Sequence, residues 1–390
     1  MQGDCWGLYR GKKNTMRNRT GNSTSVDKRY IVRRYFFWFF ILSILPLLGL
    51  AVSPDSPKQE IIPCRWQGVG KIVAVADIHG DYNHFVEILR GTELIDADMS
   101  WIGGKTHLVQ MGDVVDRGPD AKKVFDLLMK LEVEAERDGG RVHQLIGNHE
   151  ESNIIGIAFS QVGFISVEQF LSFLPEGYVK KREKKIRTQY GASNSPDETE
   201  LERVLADFWG RVMKHEEKAQ RLYIDTFNTN YGDWLLTKNA VVQINDIIFV
   251  HGGLSVEYSS WEIEDINRLL RKELTTVRNL LRHSSLQEIP FVPEMIYNNQ
   301  GPLWYRGLAI NDEKDFKEEV DLILSNLKSN IIVVGHTVQA GPINKPKDLS
   351  RFDGRVWTID TGISDFYGGK QTALIIDEGK FNIWGISDAR

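Results

Sequence analysis

Short apolar runs that end in polar clusters recur along the chain. KIVAV runs into ADIHGD at 71–81, THLVQ into MGDVVDRG at 106–118, and RVHQLI into GNHE at 141–150. Runs of this length, rich in β-branched residues, predict buried strands whose C-terminal ends open into loops. Between the second and third, Val124, Leu127, Leu128 and Leu131 recur at helical spacing, which predicts an amphipathic helix. Farther on, AVVQINDIIFVHGG reads as two strands around an Asn-Asp turn. NIIVVGHT, RVWTIDTG, TALIIDEG and KFNIWGI supply further strands, the last two as a hairpin around Glu378 and Gly379. Strand, helix and strand in alternation predict an α/β domain, with roughly eight or more strands in two sheets and helices outside.

The alternation breaks at 155–238. There the basic run KKREKKIR, at 180–187, is followed by polar GASNSPDETE and by a helix in which Leu201, Val204, Leu205, Phe208 and Val212 share a face. This block predicts an inserted helical cap, its basic run being either a solvated helix face or a guide for an anionic substrate. Residues 53–67 hold three prolines and no sustained period, which reads as a linker and places the folded domain over 68–390. Residues 1–34 form a basic arm, with nine Lys or Arg against Asp4 and Asp27, and 35–52 is YFFWFFILSILPLLGLAV, eighteen positions without a charge. That length suits a signal-peptide core or a short membrane anchor. In both cases the arm stays cytoplasmic and the domain crosses, so an exported, membrane-anchored, periplasmic or lumenal protein is expected. Cleavage after Ala51 and retention both fit, and Met16 is an alternative start.

An apolar fraction of 42% can supply a full-sized core. A net charge of -5 lacks the basic balance expected for nucleic acid as the main partner. Cys5 and Cys64 are the only cysteines and lie on opposite sides of the apolar segment, so no intrachain disulfide is expected.

The chemistry sits at the strand ends: Asp77 and His79 in ADIHGD, Asp113, Asp116 and Arg117 in GDVVDRG, Asn148 and His149 in GNHE, His251 in VHGGLS, Arg306 in LWYRG, and His336 in VVGHT. Taken singly, an Asp after a strand is more often a turn or helix cap, and a His more often a satisfied core residue. Together, strand ends of an α/β sheet converge on a ligand site. Hard oxygens mixed with imidazoles and no thiolate suit manganese, iron or zinc better than calcium or a structural zinc cage. One carboxylate can bridge two such ions about 3.5 to 4 Å apart, with a hydroxide between them acting as nucleophile.

DIHGD, GDVVDRG, GNHE, HGG and GHT, in this order, resemble the motifs of the phosphoprotein phosphatases, a branch of the calcineurin-like metallophosphoesterases. The likeness covers roughly 69–365, and YGDWLLTKNAVVQINDIIFVHGGLS with GPLWYRG is most similar to the bacterial-type, Shewanella-like group. It implies a two-sheet β-sandwich flanked by helices. It further implies that Asp77, His79 and Asp113 hold one divalent metal, with Asp113 bridging, and that Asn148, His251 and His336 complete a second. By the same likeness a metal-bridging hydroxide attacks phosphorus in line, His149 protonates the leaving oxygen, Asp116 orients His149, and Arg117 and Arg306 grip phosphate oxygens. Gly335-His336-Thr337-Val338 lacks the second histidine of the G-H-x-H found in many calcineurin-like phosphodiesterases, and the SAPNY-type signature of the common serine/threonine enzymes is absent, with TIDTG nearby instead. The expected substrates are phosphorylated proteins, on Ser, Thr or Tyr, or small phosphate compounds. Rival readings are a phosphoanhydride hydrolase, acting on diadenosine polyphosphate or inorganic polyphosphate, and an inactive membrane-tethered binding module.

Overall fold

The computed structural model describes residues 62–161, 163–191, 198–282, 293–339 and 346–385. The basic arm, the apolar segment 35–52 and the linker up to residue 61 lie outside them. Among the described residues no helix is long and apolar enough to cross a membrane.

Two sheets are present. In the first, β2 (Lys71–Val75), β3 (His107–Gln110) and β4 (Arg141–Gln144) run parallel, in register, and Val75, Gln110 and Gln144 lie side by side at their C-terminal ends. The sheet is closed off by the predicted hairpin, β10 (Ala373–Asp377) and β11 (Lys380–Trp384), giving the order β11-β10-β2-β3-β4. Glu378 and Gly379 both have positive φ, +47° and +76°, which a tight two-residue hairpin turn requires. In the second sheet, β6 (Ile247–Val250), β7 (Ile331–Val334) and β9 (Val356–Thr358) are parallel, and Val250, Val334 and Thr358 again share one register position. With β1 (Arg65–Trp66) and β8 (Ser350–Arg351) at the edges the order is β1-β5-β6-β7-β9-β8, with β5 (Val241–Ile244) pairing antiparallel to β6 across the Asn245-Asp246 turn. One continuous apolar core is shared by both sheets and the helices around them. Two sets of three parallel strands therefore deliver six strand ends.

The linker reading changes at its C-terminal edge. Arg65–Trp66 is an edge strand, β1, parallel to β5, and the Cys64 carbonyl accepts from Gln243 at 2.8 Å. Pro63 precedes it and donates nothing, but its carbonyl takes a hydrogen bond from Asn239, and an edge is where proline is tolerated. Cys64 is buried and free.

The helix α2 (Ala121–Arg137) buries Val124, Leu127, Leu128 and Leu131, as its spacing predicts. Between α3 (Asn148–Ile155) and β5 the longer helices of the described residues are α4 (Val167–Phe173), α5 (Glu176–Gly191), α6 (Glu198–His215) and α7 (Glu217–Phe227). On α6 the buried stripe is Leu201, Leu205, Trp209 and Val212, while Val204 and Phe208 are only half-buried. Trp209 takes the central place because its indole N–H can donate to Glu183 of α5 at 3.1 Å while the ring stays in the core. On α5 the arginines of the basic run pair with carboxylates of the cap at its surface: Arg182 with Glu216, and Arg187 with Glu198 and Glu202.

Trp209→Ala should lower stability by about 3 to 5 kcal/mol, whereas Val204→Ala should cost about 1 kcal/mol or less. Urea denaturation of the two variants beside the parent checks the orientation of α6, and equal losses would contradict it.

Candidate metal centre and active site

Each parallel strand hands its chain to a loop that turns at once into the same space. Asp77 and His79 follow β2, Asp113 follows β3, Asn148 and His149 open α3 after β4, His251 follows β6, and His336 follows β7. These turns are strained. His79, Asp113, Asp116, Arg117 and His336 all have φ between +46° and +71°, a region that non-glycine residues occupy only when their surroundings hold them there. Glu150 is the holder for one turn. Its buried carboxylate accepts from the backbone N–H of Asp113 and Val114 at 2.7 Å and of Gly147 at 2.9 Å, clamping the loop after β3 onto the start of α3. Gly112 has φ +96°, and a Cβ there would lie 2.7 Å from the Gly147 nitrogen, so the two loops pass closer than any side chain allows.

The donor atoms converge in two groups that share Asp113. His79 donates from Nδ1 to the Val115 carbonyl at 3.0 Å, so its Nε2 presents a lone pair toward Asp77 Oδ2, 4.0 Å away, and Asp113 Oδ2, 3.9 Å away. His251 donates from Nδ1 to the Met111 carbonyl at 2.9 Å. Its Nε2 then faces Asn148 Oδ1 at 3.0 Å, His336 Nδ1 at 3.2 Å and Asp113 Oδ1 at 3.3 Å. With both rings deprotonated at those nitrogens four acceptors meet there, and Asp77 and Asp113 are almost wholly buried. Lone pairs and carboxylates packed this closely repel unless cations lie among them, so the donor set fits two metal ions. All six predicted ligands are brought together.

The electrostatics agree. Burial, followed by the neighbouring carboxylates of Asp360 and Asp113, pushes Asp77 well above the usual carboxylate range. Burial also opposes ionisation of Asp113, but the imidazoles of His251 and His149 outweigh it and hold that carboxyl well below its ordinary value. Burial works against protonating His251, yet Asp113 and Asp77 draw its pKa up to about 9, whereas burial and the nearby His149 lower His79 to about 4. Between Asp113 and His251, a proton on the imidazole stands in for positive charge that the carboxylate demands.

Beside the donors lies a second arrangement. His149 Nδ1 is 2.7 Å from Asp116 Oδ2, and its Nε2 is 3.8 Å from Asp113 Oδ2. The ring stacks on Phe164, centroids 3.9 Å apart and planes within 19°. The arginines stand at the rim. Arg117 donates to the Gly163 carbonyl and to the Tyr367 hydroxyl, and its guanidinium lies 5.1 Å from the ring centres of both Phe164 and Phe366. Arg306 donates to the His336 carbonyl at 2.9 Å and to Thr337 Oγ1 at 3.0 Å. Both guanidinium groups are thus at the mouth of the centre, bonded to protein rather than aimed at the ligand atoms.

Sequence reasoning overlooked several neighbours. Glu150 carried a signal, since a Glu at the third position of a helix start, inside GNHE, is the usual partner for exposed backbone donors. Asp360 follows β9 just as the ligands follow their strands. It is buried, pushed up to about 6 chiefly by burial, and its Oδ2 has no partner. Phe164, Phe366 and Tyr367 had no periodic or motif signal. His107 and His143 are buried against Trp66, with His143 Nε2 3.0 Å from His107 Nδ1. His84 bonds the Ile363 carbonyl and pairs with Asp81 at the edge of α1 (Tyr82–Gly91).

Residues 70–340 match the calcineurin-like phosphoesterase family. Shewanella-like protein phosphatase 2 of Arabidopsis thaliana is 33% identical over 76% of this chain and 73% of its own length. Shewanella-like protein phosphatase 1 of Plasmodium berghei is 29% identical over 77% and 69%. Among solved structures, the cold-active protein-tyrosine phosphatase of a psychrophilic Shewanella species superposes with a TM-score of 0.57 at 26% identity, covering 85% of this chain and 82% of that one. The matched span contains all six predicted ligands and His149, and the chain belongs to the calcineurin-like phosphoesterase family, as a metallophosphatase of the Shewanella-like group.

Proposed function

We propose that the chain is a dinuclear metallophosphatase that hydrolyses phosphomonoesters on proteins, with phosphotyrosine preferred. The convergence of Asp77, His79, Asn148, His251 and His336 around Asp113 supports the chemistry. Divalent cations held there, manganese, iron or zinc by the donor chemistry, would supply Lewis acidity toward phosphoryl oxygens and an acidified water. Asp113 faces both ligand groups and is the residue able to join them. Arg117 and Arg306, at the mouth, exchange their carbonyl partners for phosphate oxygens, which a planar guanidinium binds in pairs. His149 carries the proton for the leaving oxygen on Nε2, while Asp116 fixes the opposite nitrogen as a donor.

The observation that carries the tyrosine preference is the rim. Phe366 is 59% exposed beside the half-exposed Tyr367, and with Phe164 they frame Arg117. A phenyl leaving group can stack there while its phosphate meets the arginine; a serine side chain is too short to use the rings. A Shewanella neighbour described as a tyrosine phosphatase supports the same choice. The phosphoanhydride reading shares the metal core and draws some support from the basic run of the cap, but the two arginines of that run are engaged by Glu198, Glu202 and Glu216. The inactive-module reading meets a site in which all six ligand side chains and His149 are present.

Turnover of a phosphotyrosine peptide, a phosphoserine peptide and inorganic polyphosphate tests this reading. The tyrosine peptide should be fastest, and Phe366→Ala should raise its KM about two- to tenfold with little change for the serine peptide. His149→Asn should slow the tyrosine peptide by about 100-fold or more while keeping the metals. Faster release from polyphosphate would overturn the assignment.

Metal removal gives a second test. Without metal, the raised pKa of His251 contributes stability that is complete below its ordinary value of 6.5 and is lost as pH rises through about 9. Chelator-treated protein should therefore melt at progressively lower temperature between those values, while manganese-loaded protein should not, since the cation replaces the proton. Parallel melting curves with and without chelator would contradict the placement of the metals.

A further inference from the structure

The Asp116 carboxylate, which faces the His149 ring, is not held by its own loop alone. Gln169 of α4 reaches it from the cap, Tyr223 of α7 stands behind Gln169, and both are fully buried. Gln169 Nε2 donates to Asp116 Oδ1 at 2.8 Å, and Gln169 Oε1 accepts from the Asp116 backbone N–H at 2.6 Å. Gln169 Nε2 also donates to Tyr223 Oη at 2.8 Å. The Tyr223 hydroxyl donates to Asn153 Oδ1 at 2.8 Å, and Asn153 Nδ2 returns to both oxygens of Asp116 at 3.1 Å and to the His149 carbonyl at 3.0 Å. The ring of bonds is closed.

Its direction is also forced. Flipping the Gln169 amide would set a donor against the Asp116 N–H and an acceptor against its carboxylate, so only one orientation satisfies both contacts. That fixes Tyr223 as acceptor from Gln169 and donor to Asn153. The same stretch of the cap secures the strained turn: the Phe164 carbonyl accepts from Arg117 N at 2.8 Å, and Ser166 donates to the Gly118 carbonyl at 3.1 Å. Every polar atom that could let Asp116 rotate is bonded, and two of the four side chains in the ring come from the insertion.

We infer that Gln169 and Tyr223 are positioning residues for proton transfer: the cap sets the Asp116 carboxylate that orients His149, and so takes part in leaving-group protonation. The inference rests on the phosphatase reading above. A leaving group that needs a proton feels this geometry, whereas one that departs as a stable anion does not.

Two substrates separate the cases: a phosphotyrosine peptide, whose phenol has a pKa of about 10, and p-nitrophenyl phosphate, whose phenolate leaves unprotonated at neutral pH. Tyr223→Phe removes one oxygen and keeps the ring in its stack with Phe170 and Phe227. It should lower kcat on the peptide about tenfold at unchanged KM, with a much smaller loss on p-nitrophenyl phosphate and an unchanged metal content. Placed on His149→Asn, the same change should cost nothing further, because the group it positions is gone. Gln169→Met, of similar shape, should follow the same pattern if Tyr223→Phe does not fold. Equal losses on the two substrates, or a tenfold loss that persists on His149→Asn, would overturn the inference in favour of a structural role. A parent protein that turned over neither substrate would instead sink the phosphatase reading itself.

Discussion

The structure depends on negative charge buried around Asp113. Asp77, Asp113, Asp116, Glu150 and Asp360 all lie at or below 3% exposure. The arginines nearest to them, Arg117 and Arg306, stand at the mouth and are turned toward protein carbonyls. Burying one carboxylate without a partner costs several kcal/mol, and burying several in contact costs more. Such an assembly persists because its members answer different demands. Glu150 is taken up by backbone donors and Asp116 by Gln169, Asn153 and His149, which leaves Asp77, Asp113 and Asp360 facing the imidazoles. Positive charge has to enter among those three, and the donor atoms are already set out for it.

That requirement explains the backbone. A loop that must bring a carboxylate or imidazole back over the end of its own strand has few residues in which to turn, so left-handed conformations appear at His79, Asp113, Asp116, Arg117 and His336. Each costs on the order of 1 to 3 kcal/mol and needs local bonds to offset it. Glu150 supplies them for Asp113, and the Phe164 carbonyl and Gln169 supply them for the Asp116-Arg117 pair. The parallel registers supply the rest, since Val75, Gln110 and Gln144 end level in one sheet and Val250, Val334 and Thr358 end level in the other.

Much of this was legible in the sequence because it is local. A β-branched run followed by polar residues marks a strand and its loop, and five such junctions carry the ligands. The hairpins at Asn245-Asp246 and Glu378-Gly379 were readable from turn chemistry. What escaped was contact between segments far apart in the chain. Arg65–Trp66 became a strand because β5 offered a free edge, a fact that prolines nearby conceal. Trp209 displaced Val204 and Phe208 from the buried stripe because Glu183, on the neighbouring helix, could satisfy its indole. Gln169 and Tyr223 sit in unremarkable helical sequence, and only folding shows that they meet at Asp116. Residues whose role is set by a partner more than fifty positions away leave no mark in periodicity or spacing.

The cap therefore has two faces with different physical tasks. Its outer surface carries the basic run, where exposed ion pairs contribute little and can vary without consequence for the centre. Its inner surface is dry and aromatic, with Phe170, Tyr223 and Phe227 stacked beneath the hydrogen-bonded ring around Asp116. Low local polarity strengthens each bond in that ring and raises the cost of breaking any one of them. An insertion attached in this way cannot swing open as a rigid lid without releasing the carboxylate that steadies His149. Access to the metals has to come instead from the rim, where Arg117, Phe366 and Tyr367 are the exposed groups free to rearrange.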